Sequence, residues 1–139
     1  MSQQQISFTI PGEPCAKGRP RFNRATGHAR TPEKTSRYEQ LVQLSYMQHV
    51  GQEVTLHGPV KARIRAYFTI PKSTSKRKRE QMISGGLKPL KKPDADNIAK
   101  IVLDALNGMA YQDDKEVAVL LVEKHWAEKP MVCVTLSEI

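Results

Sequence analysis

Aromatic side chains are scarce in this chain of 139 residues, at 6% with a single Trp, and only two cysteines occur. Cys15 and Cys133 share no close spacing, which excludes a disulfide framework or a thiolate metal cluster, and a cytosolic chain keeps both reduced. His28, His49, His57 and His125 stand without a C-x-x-C or H-x-x-x-H partner, which argues against structural zinc. No apolar run approaches the ~20 residues that span a bilayer, and the opening MSQQQ lacks the charged and apolar regions of a signal peptide. A soluble protein with no membrane partner, retained in the cell, is expected. The length supports one real core but not two, so one domain over 1–139 is expected.

Acidic residues are also in short supply, 14 against 22 Lys and Arg, for a net charge of +8 that points to a polyanionic partner. Their distribution says more than their number. Residues 93 to 128 hold eight acids and three bases, a local −5, which leaves +13 on the rest. From 60 to 92 the chain carries eleven bases and the single acid Glu80. An acidic centre framed by bases suits an enzyme that grips a phosphate backbone with cations and cuts it with metal.

The acids concentrate in KKPDADNIAKIVLDALNGMAYQDDKEV, residues 91 to 117. Asp94 and Asp96 follow Pro93 where a helix begins, and Asn107-Gly108 marks its end. Between them Ile98, Ile101, Val102, Ala105 and Leu106 form one apolar stripe, with Asn97, Lys100, Asp104 and Asn107 on the other side. A short loop then reaches Asp113-Asp114, so three carboxylates would meet if the next strand runs back alongside. Oxygen-only carboxylate clusters suit hard divalent cations, Mg²⁺ above all, completed by water and substrate phosphate. Aspartate at a helix start is equally an ordinary N-cap, and Asp-Asp ordinary turn chemistry. Lys100, one turn after Asp96, is either an i,i+4 ion pair or an ammonium placed beside a metal-bound phosphate.

Around this segment the periodicities predict a strand over 5–10, a helix from Thr31-Pro32 to about Val50, and a strand over 59–70 with a basic outer face. The helix stripe Tyr38, Leu41, Val42, Ser45, Tyr46 and His49 reads as core or dimer surface. A short basic helix capped by Ser73 or Ser75 ends at Gly85-Gly86, and two strands run from 117 to 126 and from 131 to 136. The order β, α, β, short α, α, β, β implies an α+β fold, a small mixed sheet packed with helices, rather than repeated βαβ units. Two segments fit DNA binding: the loop CAKGRPRFNRATGHART, with Lys17, Arg19, Arg21, Arg24 and Arg30 beside Phe22, and the KRKR run Lys76, Arg77, Lys78 and Arg79. Either could instead be merely solvated.

The run PDADNIAKIVLDALNG, with Tyr111 and Asp113-Asp114 after it, resembles the RusA family of Holliday-junction resolvases of bacteria and their prophages, and IPGEPCAKGRPRF is similar to that family's opening strand and basic loop. The resemblance implies a homodimeric, cytoplasmic, Mg²⁺-dependent endonuclease, with Mn²⁺ as a possible substitute, that makes paired nicks across a four-way DNA junction in recombination and repair. It implies metal ligands at Asp94, Asp96 and Asp114 and a catalytic lysine at Lys100; Asp104 and Asp113 also match, without a defined role. The chain departs from the pattern at Pro93 and in a longer, more basic insertion over 73–92. Two other readings stay open: a DNA-binding module whose acids only cap a helix, and a nuclease selective for flaps or forks. Phosphatases and sugar-nucleotide transferases also carry D-x-D, but in the phosphatases a buried hydrophobic strand precedes it, whereas KPLKKP stands here.

Overall fold

The computed structural model describes residues 4–18, 21–30, 32–51 and 56–139, with backbone alone for 21–23 and 28–30. Strand β1 spans Gln5–Pro11, β2 Arg21–Asn23, β3 His28–Arg30, β4 Val60–Thr69, β5 Val117–Ala127 and β6 Met131–Glu138. Helix α1 spans Glu33–His49, α2 Lys76–Ser84 and α3 Ala95–Ala105. The expected α+β order therefore holds, with one addition. Inside the basic loop the chain folds into the β2–β3 hairpin, with Phe22 opposite Ala29. Alternation over three-residue strands is too short to be read from sequence.

The main sheet has the order β1-β6-β4-β5. β6 lies antiparallel to both β1 and β4, while β5 runs parallel to β4 with Ile64 beside Val122. A parallel pair needs a long crossover, and α2 and α3 supply it. The sheet is thus mixed, with a single parallel step. Alternation along β4 works as the sequence predicts: Val60, Ala62, Ile64, Ala66 and Phe68 are buried, and Lys61 and Arg63 are exposed.

On the inner face, α1 and α3 cover the sheet and join one apolar cluster. Tyr38, Val42, Ser45 and Tyr46 of α1 are buried, and the Tyr46 ring meets Phe8 edge-on at 5.5 Å. Of the two uses open to that stripe, core is the one it serves, although His49 at its end is exposed. In α3 the whole predicted stripe is buried, together with Ala99 and Leu103. α2 differs: Met82 is its sole buried residue. Ser75 caps it through Lys78 N–H at 3.3 Å, and Gly85 ends it at φ 91°, a left-handed conformation that favours glycine.

Candidate active site and nucleic-acid interface

α3 presents its polar side along a single line. Asp96, Lys100 and Asp104 recur every four residues, one turn apart, so about 12 Å of helix axis separates Asp96 from Asp104. Asp94, Asp96 and Lys100 are exposed, while Asp104 is half-buried. Asp94 occupies the N-cap position at φ −70° and ψ 155°, and its carbonyl accepts the first helical bond from Ile98 N–H at 3.0 Å. Its carboxylate makes no capping hydrogen bond. The oxygens that an ordinary N-cap would commit to the backbone are therefore available for another partner.

At the other end of α3, Asn107 sits just past the helix and Gly108 turns the chain at φ 76°. Asn107 Oδ1 accepts the Asp114 N–H at 2.8 Å, which ties the acidic turn to the helix end. Tyr111 is buried in that turn and donates its hydroxyl to Leu103 C=O at 2.7 Å. Asp113 caps the short 3-10 turn Asp114–Glu116 by accepting Lys115 N–H at 2.9 Å, and chiefly that bond holds its carboxyl below the usual range. Asp114 is pushed the other way, first by burial and then by the neighbouring carboxyls of Asp113 and Asp104. Burial and like-charged neighbours both disfavour the ionised carboxylate.

The predicted residues thus divide between two ends of one helix face: Asp94 and Asp96 at the first turn, Asp104, Asp113 and Asp114 at the last, Lys100 between. Among the described residues, no three His, Cys, Asp or Glu side chains converge into a set that could hold a metal ion. In donor chemistry, though not in convergence, the residues suit a hard divalent cation: all are carboxylates, and Asp94 is not spent on its cap.

The predicted DNA-binding residues also divide. Lys17 reaches inward, 3.0 Å from Glu39 Oε2 on α1 and 3.3 Å from Asp104 Oδ2 on α3, with its side chain only 22% exposed. It fastens the basic loop to the acidic helix. Gly18 beside it donates N–H to Thr35 Oγ1 at 2.9 Å, and a Cβ there would lie 2.8 Å from the same oxygen, so the close approach requires glycine. Arg24 is exposed on the hairpin turn. Arg19 lies outside the described residues, and of Arg21 the backbone alone is described. Lys76, Arg77 and Lys78 are exposed on α2, whereas Arg79 places Nη1 2.8 Å from both carboxylate oxygens of Glu128 and serves to hold α2 to the β5–β6 turn. Neither Asn107 as the anchor of Asp114 nor the Lys17–Glu39–Asp104 bridge is foreseen by local pattern. An Asn before Gly signals only a helix end, and the bridge joins residues far apart in sequence.

Comparison with known proteins places the chain in a family. The family model for endodeoxyribonuclease RusA matches residues 11–137, which takes in the basic loop, α3 and the acidic turn. The chain belongs to the RusA endodeoxyribonuclease family. It is also 43% identical over 138 residues, 96% of each chain, to the protein YqaN of Bacillus subtilis (strain 168), whose function is uncharacterized. Among the described residues, no helix of this RusA-family chain is long and apolar enough to cross a membrane.

Proposed function

We propose that the protein is a divalent-metal-dependent endonuclease that resolves four-way DNA junctions by paired nicks, acting in the cytoplasm in recombination and repair. The observation that carries this is an acidic helix face inside a RusA-family chain that is otherwise strongly basic. Asp94 and Asp96 at one end of the α3 face and Asp114 at the other are the proposed carboxylates for Mg²⁺ or Mn²⁺, two positions along one face rather than a single cluster. When bound, such an ion supplies a hydroxide at neutral pH and offsets charge on the phosphate oxygens. Lys100, exposed between the two acidic ends, directs an ammonium at the scissile phosphate. Lys17 neutralises Asp104 and Glu39 and so keeps the basic loop beside this face. Asn107 holds Asp114 in place through its main chain.

Asp94→Asn tests the metal reading against the capping one. Asn caps a helix about as well as Asp, and the Asp94 carboxylate makes no cap bond to lose, so folding should be unchanged. Cleavage of a four-way junction in Mg²⁺ should fall by at least about a hundredfold, while binding in EDTA persists or tightens. Near-normal cleavage would return the aspartates to caps and turns and leave a DNA-binding domain. Flap and fork substrates run beside the junction decide which branch is preferred.

Paired nicks need two sites related by symmetry, hence a homodimer. α1 spends its apolar stripe on the core, so the β5 edge is the proposed interface. Its outer side has no strand partner among the described residues, and Val119, Leu120 and Leu121 are 43%, 47% and 44% exposed. Antiparallel pairing of two β5 strands about Leu120 sets Val119 opposite Leu121 of the partner subunit, twice by symmetry, and covers the exposed apolar edge. Leu120→Glu should yield monomers by sedimentation and single rather than paired nicks. A wild-type monomer with full paired-nick activity would overturn the dimer.

A further inference from the structure

Leu90 is 95% exposed, more than any other large hydrophobic among the described residues. A lone apolar side chain at a surface is ordinary, but the surroundings of this one are not. The connection that carries it is held on both sides. Gly86 and Leu87 donate N–H groups to Gln81 C=O at 2.9 and 3.3 Å, Lys88 Nζ lies 3.2 Å from His125 Nδ1, and Pro89 is buried. After Leu90, the Lys91 C=O accepts from Lys124 Nζ at 2.6 Å. A restrained backbone thus projects a leucine into solvent instead of folding it back. Ile83 at 55% and Leu87 at 37% exposure lead up to it, and Lys88, Lys91 and Lys92 flank it, four residues before Asp94.

We propose that Leu90 is a wedge that enters the base stack of branched DNA beside the scissile phosphate, while Lys92 meets a neighbouring phosphate and Lys88 and Lys91, which rest on His125 and over the Phe68 ring at 5.7 Å, add positive charge at its base. This rests on the nuclease reading above and deepens it. Apolar wedges of this kind part a base step and kink the duplex, and a junction, where stacking is already interrupted at the branch, offers the least resistance. The lysines make the occupant a polyanion, and the leucine makes the contact one with bases.

The test uses four-way junctions carrying 2-aminopurine next to the branch, bound in EDTA by the wild-type protein, Leu90→Ser and Leu90→Phe, with cleavage in Mg²⁺ read separately. Because the side chain touches almost nothing in the protein, neither substitution should disturb folding. Wild-type protein should raise the fluorescence as the base unstacks; Leu90→Phe should retain the rise and Leu90→Ser should lose it. Affinity of Leu90→Ser for plain duplex and its salt dependence should stay within about twofold, since phosphate contacts carry both, and its junction cleavage should fall by about tenfold or more. An unchanged fluorescence rise with Leu90→Ser overturns the wedge, as does wild-type binding and cutting with no rise at all. If the wild-type protein neither binds nor cuts any branched DNA, the nuclease reading itself fails, and the wedge with it.

Discussion

α2 and α3 follow one another in the chain and form the crossover from β4 to β5, yet they are built on opposite plans. α3 buries six of its eleven residues and lines its outer side with acids and Lys100, whereas α2 buries Met82 alone and shows Lys76, Arg77 and Lys78 to solvent. A helix that buries so little is held by its ends, the Ser75 cap and the Gly85 turn, and from its middle by the Arg79–Glu128 pair. The contrast separates two demands of the proposed reaction. Groups that bind and orient a reacting phosphate must be held rigidly, and the core behind α3 does this. Groups that grip a backbone of varying sequence need charge and reach, which a helix resting on the fold supplies without being part of the core.

The sharpest way to break that contrast is to empty the core under each helix. Ile101→Ala removes a fully buried side chain of α3 from the main apolar cluster and should lower stability by about 2–5 kcal/mol. On a domain of this size that takes on the order of 10 °C from the Tm. Met82→Ala removes the only buried residue of α2, which lies outside that cluster, and should cost about 1.5 kcal/mol. Thermal unfolding by circular dichroism reads both. Equal losses would mean that α2 is as integral to the fold as α3, and the division of labour would fall.

The same contrast explains what could be read from the sequence. The buried stripe of α3 was legible because five apolar residues repeat at helical spacing between a proline and an Asn-Gly, and the face of β4 because its alternation is uninterrupted for ten residues. The tertiary closures were not. Whether Asp114 joins Asp94 or stays near Asp104 depends on the hydrogen bond that its N–H donates to Asn107 and on β5 running parallel to β4, and neither leaves a periodic trace. Lys17 reads as one more base in a basic loop, and only folding brings it against Glu39 and Asp104. Arg79 belongs to a KRKR run whose members look interchangeable, but it is the one that meets Glu128. Charge shows in sequence; the partner that neutralises it does not.

A smaller effect on the fold, and a cleaner one on binding, should come from the bases of α2. Lys76, Arg77 and Lys78 are exposed, and none forms an ion pair among the described residues. Replacing all three with Ala should therefore leave the Tm nearly unchanged, because Ala is at least as good a helix former as the residues it replaces. Binding to branched DNA should weaken by roughly tenfold, alike for every sequence, and the slope of log affinity against log salt should become shallower by up to about 2.7 if each base neutralises one phosphate. Arg79→Ala is the control from the same run. Its loss frees Glu128 and should be felt in stability rather than in the salt slope. If the triple variant kept the wild-type slope, α2 would not lie on the DNA path, and the grip would have to come from the hairpin arginines and the lysines around Leu90.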